Sequence, residues 1–255
     1  MVQVDAFADR VFGGNPAAVC PLDAWLPDQQ MQAIAGENNL SETAFFVKNG
    51  AGYQLRWFTP TIEVDLCGHA TLASAYVVLN DLTPGERSVS FESKSGTLTV
   101  TRDGDLYSLD FPSRPPAPTT PCAGLIEALG GTPEAVLAAD DYLVVYQSED
   151  EVRALQPDMA GLMHIDRFAV IATAPGRNYD FVSRFFAPAK GVPEDPVTGR
   201  AHCTLIPYWA KRLNKAKLTA FQASKRGGEV WCEDRGARVG ISGKAVRFFE
   251  GDIFI

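Results

Sequence analysis

Residues 57–79 read WFTPTIEVDLCGHATLASAYVVL, and residues 185–210 read FFAPAKGVPEDPVTGRAHCTLIPYWA. Each stretch opens on an aromatic pair, turns at a proline and passes an acidic loop. Each then meets a glycine with a histidine close by and runs into an apolar, helix-like segment. Gly68 and Gly199 lie 131 positions apart, and a second pair keeps that register: Ser93-Lys94-x-Gly96 recurs as Ser224-Lys225-x-Gly227. In a chain of 255 residues this spacing reads as one domain duplicated. Each half then presents a helix start just after a glycine. Helix starts carry free N–H groups and the positive end of the dipole, so two of them turned toward one shared cleft would hold an anion.

Working outward, Val2–Phe7 reads as a strand and Phe12-Gly13-Gly14-Asn15-Pro16 as a sharp turn. Asp28–Glu37, after Pro27, reads as a short surface helix; Thr43–Lys48 and Tyr53–Phe58 read as strands joined by Asn49-Gly50-Ala51-Gly52. Gly68–Leu79 contains no Asp, Glu, Lys or Arg, the pattern of a helix buried on all sides. Ser88–Glu92, Thr97–Arg102 and Leu106–Phe111 follow as short strands, the last two joined at Asp103-Gly104. PSRPPAPTTP at 112–121 holds five prolines in ten residues and predicts an extended linker. The plan then repeats. Phe168–Ala174 and Phe181–Phe186 read as strands, a second central helix starts near Thr198, and Pro207 is expected to kink or split it. Strands near Lys217–Gln222, Glu229–Glu233, Ala237–Ile241 and Val246–Ile255 close the chain. The expected organisation is an α+β chain of two pseudo-symmetric domains, 1–113 and 122–255, each a curved mixed sheet around an apolar helix. The last strand is free to cross to the first domain.

Composition narrows the function classes. The formal net charge of −8 argues against a nucleic-acid or anionic-membrane partner. No apolar run approaches the ~18 residues of a membrane span. The opening MVQVDAFADRVFGG lacks the basic and apolar regions of a signal peptide, so a cytoplasmic location is expected. Five scattered cysteines without a CxxC point to reduced thiols rather than a disulfide framework or zinc site. With three histidines in all, no metal site is expected.

Three places carry candidate chemistry. Glu42, between a polar turn and an apolar strand, is either a solvated carboxylate, a local partner for Ser41 or an exposed backbone N–H, or a carboxylate partly desolvated by neighbours such as Phe45 and Phe46. In the last case burial raises its pKa toward that of a usable general acid or base. Gly68-His69-Ala70-Thr71 lets backbone approach a ligand at a helix start, with His69 donating to a substrate or merely capping the helix. Glu194-Asp195-Pro196-Val197-Thr198-Gly199 is either a cap or a loop that turns Asp195 toward an amine or hydroxyl. Arg200, a cation in a first helical turn, opposes the dipole, so it either points to solvent or joins a carboxylate site. Cys67, just before Gly68, is a plausible thiolate at a helix start. The equivalent region of the second half has no cysteine, and Cys203 lies one turn inside the helix, which disfavours a two-thiol racemase.

Taken together, Val4-Asp5-Ala6-Phe7, Phe12-Gly13-Gly14-Asn15-Pro16-Ala17-Ala18-Val19, Asn39-Leu40-Ser41-Glu42-Thr43-Ala44-Phe45, Cys67-Gly68-His69-Ala70-Thr71 and Glu194-Asp195-Pro196-Val197-Thr198-Gly199 resemble the PhzF-like isomerases of phenazine biosynthesis, which share the diaminopimelate epimerase fold. The likeness runs along nearly the whole chain. It implies two pseudo-symmetric α/β domains, no cofactor, a homodimer, and proton transfer on a small carboxylate-bearing substrate. It assigns acid–base duty to Glu42 and substrate holding to His69 and Asp195. Asn15, Gly68, Ala70, Thr198, Gly199 and Arg200 stand as substrate-binding candidates. Arg200 occupies a position where the family usually has Ser. The competing readings are a thiol-dependent racemase using Cys67 and a binding member of the same fold without chemistry.

Overall fold

A computed structural model describes the whole chain, Met1–Ile255. It divides into two units, Met1–Asp110 with Ser242–Ile255, and Phe111–Ile241. The first unit begins β1 (Val2–Ala6), β2 (Asn15–Leu22), α1 (Asp28–Asn38), β3 (Glu42–Asn49), β4 (Gly52–Phe58), β5 (Glu63–Val64) and α2 (Gly68–Val77). A π-helical turn over Val78–Leu82 prolongs α2, and β6 (Ser88–Ser93), β7 (Gly96–Asp103) and β8 (Leu106–Pro112) follow. The second unit holds β9 (Ala117–Pro118), α3 (Leu125–Leu129), β10 (Ala135–Ala138), β11 (Tyr142–Val145), α4 (Glu149–Ala154) and α5 (Met159–Leu162). It continues through β12 (Val170–Pro175), β13 (Phe181–Phe186), α6 (Gly199–Leu213), β14 (Lys217–Gln222), β15 (Gly228–Asp234) and most of β16 (Arg238–Gly243), whose last two residues are counted with the first unit. The last strand, β17 (Ala245–Glu250), is counted with the first unit.

In the first unit β1 lies between β17 and β2 and runs antiparallel to both. β2 and β3 are parallel, with Ala17 opposite Glu42, and β3–β4 and β6–β7–β8 are antiparallel. The sheet is therefore mixed. Helix α1 covers one part of it, with Met31, Ile34 and Ala35 packed on Cys20, Phe45 and Phe58. Helix α2 contacts β1, β2, β3 and β17. Eight of its ten residues are buried, as its lack of any charged side chain predicts.

The second unit is also mixed: β11–β12 and β13–β14 are parallel, while β12–β13 and β14–β15 are antiparallel. Leu125 and Leu129 of α3, Val152 of α4 and Leu162 of α5 share a core with Val144, Val170, Ala172 and Phe186. Helix α6 brings Trp209 flat against Phe181, ring centroids 5.7 Å apart, and the indole N–H donates to Thr173 Oγ1 at 3.0 Å. The two Ser-Lys-x-Gly stretches are both hairpin turns, β6–β7 and β14–β15, with Gly96 and Gly227 at positive φ.

Four expectations change. Pro207 neither splits nor ends α6, which runs unbroken from Gly199 to Leu213. A proline deprives the carbonyl four residues earlier of its donor; that carbonyl, of Cys203, accepts instead from the Arg114 N–H at 2.9 Å. The second helix is amphipathic rather than wholly apolar, with Arg200, Lys211 and Arg212 exposed. The 112–121 segment is not all linker, because Ala117–Pro118 pairs with β10. The Phe12–Pro16 turn is complete by Gly14, whose φ of 60° and 2.1 Å approach of a would-be Cβ to the Ala6 carbonyl admit only glycine. Asn15 and Pro16 already belong to β2.

Candidate active site

In the first unit three short segments deliver one polar cluster. The Gly14 turn starts β2 at Asn15, which is fully buried. Helix α1 stops at Asn39 in the left-handed conformation, φ 48°, and the chain re-enters the sheet three residues later at Glu42. Cys67 is the extended residue ahead of α2, and His69 lies in the first turn. The Thr71 hydroxyl and N–H both bond the Cys67 carbonyl, at 2.6 and 3.1 Å, which fixes the start of the helix. The N–H groups of Gly68, His69 and Ala70 have no acceptor within the helix.

His69 is the hub. Its Nδ1 lies 3.2 Å from Asn15 Nδ2 and 3.4 Å from Cys67 Sγ, and its Nε2 lies 3.2 Å from Glu42 Oε2. The Ser41 hydroxyl donates to Asn15 Oδ1 at 3.4 Å. Burial pushes the imidazole down to about 3, against a smaller upward pull from a hydrogen bond to the Pro16 backbone. His69 is therefore neutral near pH 7, and its approach to Glu42 is that of an uncharged ring beside a carboxyl group rather than an ion pair. Nε2 is buried without an aligned hydrogen bond, so the ring is held from one side only. The ligating atoms of Glu42, Cys67 and His69 also lie within 4.8 Å of one another, near enough to be drawn onto a single cation. Two open surface concavities of about 290 and 320 Å³ lie elsewhere in this unit, around Phe46 and Tyr53 and around Tyr76 and Tyr107.

The second unit builds a different cluster at the equivalent helix start. Thr198 precedes α6 in the extended conformation, as Cys67 precedes α2. Its hydroxyl donates to Asp195 Oδ2 at 2.5 Å, and its carbonyl is bonded by His202 Nδ1 at 2.8 Å, as Thr71 bonds Cys67. Burial pushes His202 down to about 4. Arg200 stands where the repeat places His69. It neither points freely to solvent nor stands open for a carboxylate ligand: two of its nitrogens clasp both oxygens of buried Asp141 at 3.0 Å. The guanidinium also stacks on Phe168, 4.4 Å from the ring centroid. Burial holds the Asp141 carboxyl above its ordinary range, with Arg200 pulling the other way. Cys203 is buried and its thiol pushed up to about 12, which suits core packing rather than nucleophilic chemistry.

Of the residues singled out in the sequence, Asn15, Glu42, Cys67, Gly68, His69 and Ala70 gather in the first unit, and Asp195, Thr198, Gly199 and Arg200 in the second. Sequence reasoning missed Asp141 and Gln222. Gln222 alone had left a trace, because the 131-residue register sets this amide opposite Phe91.

A mixed sheet with few helices defines an α+β fold. The whole-chain comparisons narrow this. The family model described as phenazine biosynthesis-like protein (PhzC-PhzF) matches residues 4–251. An uncharacterized isomerase of Pseudomonas aeruginosa is 53% identical over 253 residues, covering 99% of this chain and 98% of its own. The crystal structure of a phenazine biosynthesis protein PhzF family member from Enterococcus faecalis superposes with a TM-score of 0.98 at 48% identity, covering 100% of this chain and 98% of that one. A hydroxyproline epimerase from Agrobacterium vitis, 10% identical with a TM-score of 0.59 over 97% of this chain and 88% of its own, shares the fold. The chain belongs to the phenazine biosynthesis-like PhzC/PhzF family, relatives of which are named isomerases. No helix is long and apolar enough to cross a membrane.

Proposed function

We propose that this protein is a cofactor-independent isomerase or epimerase that moves a carbon-bound proton on a small carboxylate-bearing metabolite, with Glu42 as general acid and base. The observation that carries this reading is the 3.2 Å approach of Glu42 Oε2 to the neutral, buried His69 Nε2 at the head of α2. Taking a proton from carbon needs a carboxylate in a dry setting and donors for the charge that develops on the substrate. Glu42 is the carboxylate. His69 and the unpaired-in-helix N–H groups at Gly68 and Ala70 are the donors, and Asp195 holds an amine or hydroxyl of the substrate. A single general base contributes about 10²–10⁴-fold, and orientation supplies the rest. Cofactor independence, a homodimer and a cytoplasmic setting complete the reading, each resting on the sequence resemblance and composition.

The test is solvent exchange. Small carboxylates with an acidic C–H are incubated in D2O with the protein, and deuterium incorporation is followed by mass spectrometry. Glu42→Gln should keep the fold and lose incorporation by about 10²-fold or more. Retained exchange in that variant removes Glu42 from the role. Binding of such carboxylates without exchange in the unaltered protein marks a ligand-binding member without chemistry.

A second reading has one observation in its favour, the 3.4 Å contact of Cys67 Sγ with His69 Nδ1, which sets a thiol beside a base. Under it Cys67→Ser abolishes exchange; under the first reading that variant stays active.

A further inference from the structure

The last strand and the residues after it leave an apolar face uncovered. Phe248 and Phe249 of β17 keep 45% and 46% of their surface in solvent, Phe254 keeps 95%, and the flanking Ile253 and Ile255 are exposed. β17 carries a bulge: Gln3 of β1 faces Phe249 and Val4 faces Arg247, so Phe248 is the extra residue. A bulge kinks a strand and discourages strand addition along its edge, so this region offers a partner rings rather than backbone. A further ring comes from the turn after β1. The Phe12 N–H donates to Asp5 Oδ2 at 2.8 Å, and Phe12 is held at φ 71°, a left-handed conformation that is costly for a bulky residue. Its ring gains little burial in return. It is 68% exposed and meets Phe248 edge-on, centroids 5.5 Å apart.

At about 150–250 Å² for a whole aromatic side chain, the four phenylalanines together leave on the order of 500 Å² in water. That lies in the upper half of the range for the largest patch on a monomer, and such patches are often functional. Matched by its own copy, the face supplies about 1,000 Å², the apolar share of a standard interface of about 1,600 Å². Its edge is charged in both signs. Arg247 and Glu250 bracket Phe248 and Phe249, so a two-fold axis between the two rings sets Arg247 of each copy beside Glu250 of the other. Within its own chain Arg247 bonds Glu250 and Asp81. Pairs this close to solvent are weak, and exchanging one of them across the axis leaves no charge alone.

We propose that a second copy of this chain docks on this face, related by a two-fold axis passing between Phe248 and Phe249, with Phe12 inside the contact. The inference rests on the reading of the protein as a homodimer and assigns the surface that makes it.

Sedimentation velocity of the intact protein over a series of micromolar concentrations tests this. The unaltered protein should sediment as a dimer. Phe12→Asn, which suits a left-handed backbone, and Phe248→Ser should each weaken dimerisation about tenfold or more, with circular dichroism showing the fold kept. An unaltered protein that is monomeric throughout overturns the homodimer reading and the inference with it. A dimer that either folded variant leaves at full strength overturns the inference alone and puts the contact elsewhere. Should both variants fail to fold, Phe254→Ser decides, because a side chain 95% exposed has almost nothing to lose in its own chain. Weaker dimerisation of that variant supports the face, and an unchanged dimer overturns it.

Discussion

Glu63 receives a two-pronged guanidinium from Arg56, at 2.8 and 2.9 Å, and the Lys94 ammonium at 2.7 Å. Lys94 belongs to the repeated Ser-Lys-x-Gly turn, so the motif contributes a charge as well as a bend. The Arg56 hydrogen bonds hold the Glu63 carboxyl down to about 2, against burial and with help from Lys94. A carboxylate with a depressed native pKa stabilises fully above its unfolded value, and the gain is lost as pH falls toward the native value. The shift from 4.5 to about 2 caps the effect at roughly 3 kcal/mol, less for a pair this close to solvent. Glu63→Gln should therefore lower stability by about 1 kcal/mol at pH 7 in urea melts, with the difference fading between pH 4.5 and about 2. At this scale Glu42 and His69 were legible because short motifs carried them. The partner of Arg200 was not, because Asp141 is 59 residues away and only the fold brings the two together. The bonds that Gln222 makes were hidden for the same reason, its partners, Thr198 and Asp195, lying 24 and 27 residues upstream.

Pro207 is the test at the scale of elements. An interior proline costs a helix ~3 kcal/mol, largely through the lost bond and a clash with the preceding turn. Here the Cys203 carbonyl is already satisfied by the Arg114 N–H, so restoring a donor at 207 gives that carbonyl a second partner rather than a first. Pro207→Ala should accordingly stabilise by no more than about 1 kcal/mol in urea melts, against the ~3 expected of an uncompensated proline. Both central helices, both Ser-Lys-x-Gly hairpins and most strands could be read from periodicity and turn chemistry, as at Lys217–Gln222 and Asp103-Gly104. What could not be read were features set by distant chain, such as the unbroken α6 and the pairing of Ala117–Pro118 inside a proline-rich stretch. Local signals fix where a helix starts; they do not say who will take up an orphaned carbonyl.

For the whole molecule the telling feature is β17, which pairs with β1 from Val2 to Ala6 and brings Ser242–Ile255 into the first unit. Val2 and Val4 of β1 are buried, and without β17 their strand becomes a sheet edge. Truncation after Gly243 should leave a protein that aggregates or melts markedly earlier than the full chain, measured by size-exclusion chromatography and circular dichroism. A truncated chain that stays monomeric with an unchanged melting temperature would show β17 to be dispensable. The arrangement also bears on synthesis. A ribosome adding about 5–20 residues per second reaches Ala245 on the order of ten to fifty seconds after β1 is made. During that interval the nascent chain displays an open strand to its surroundings, so cellular yield should depend on holdase chaperones more than it would for a protein whose opening strand finds both neighbours at once.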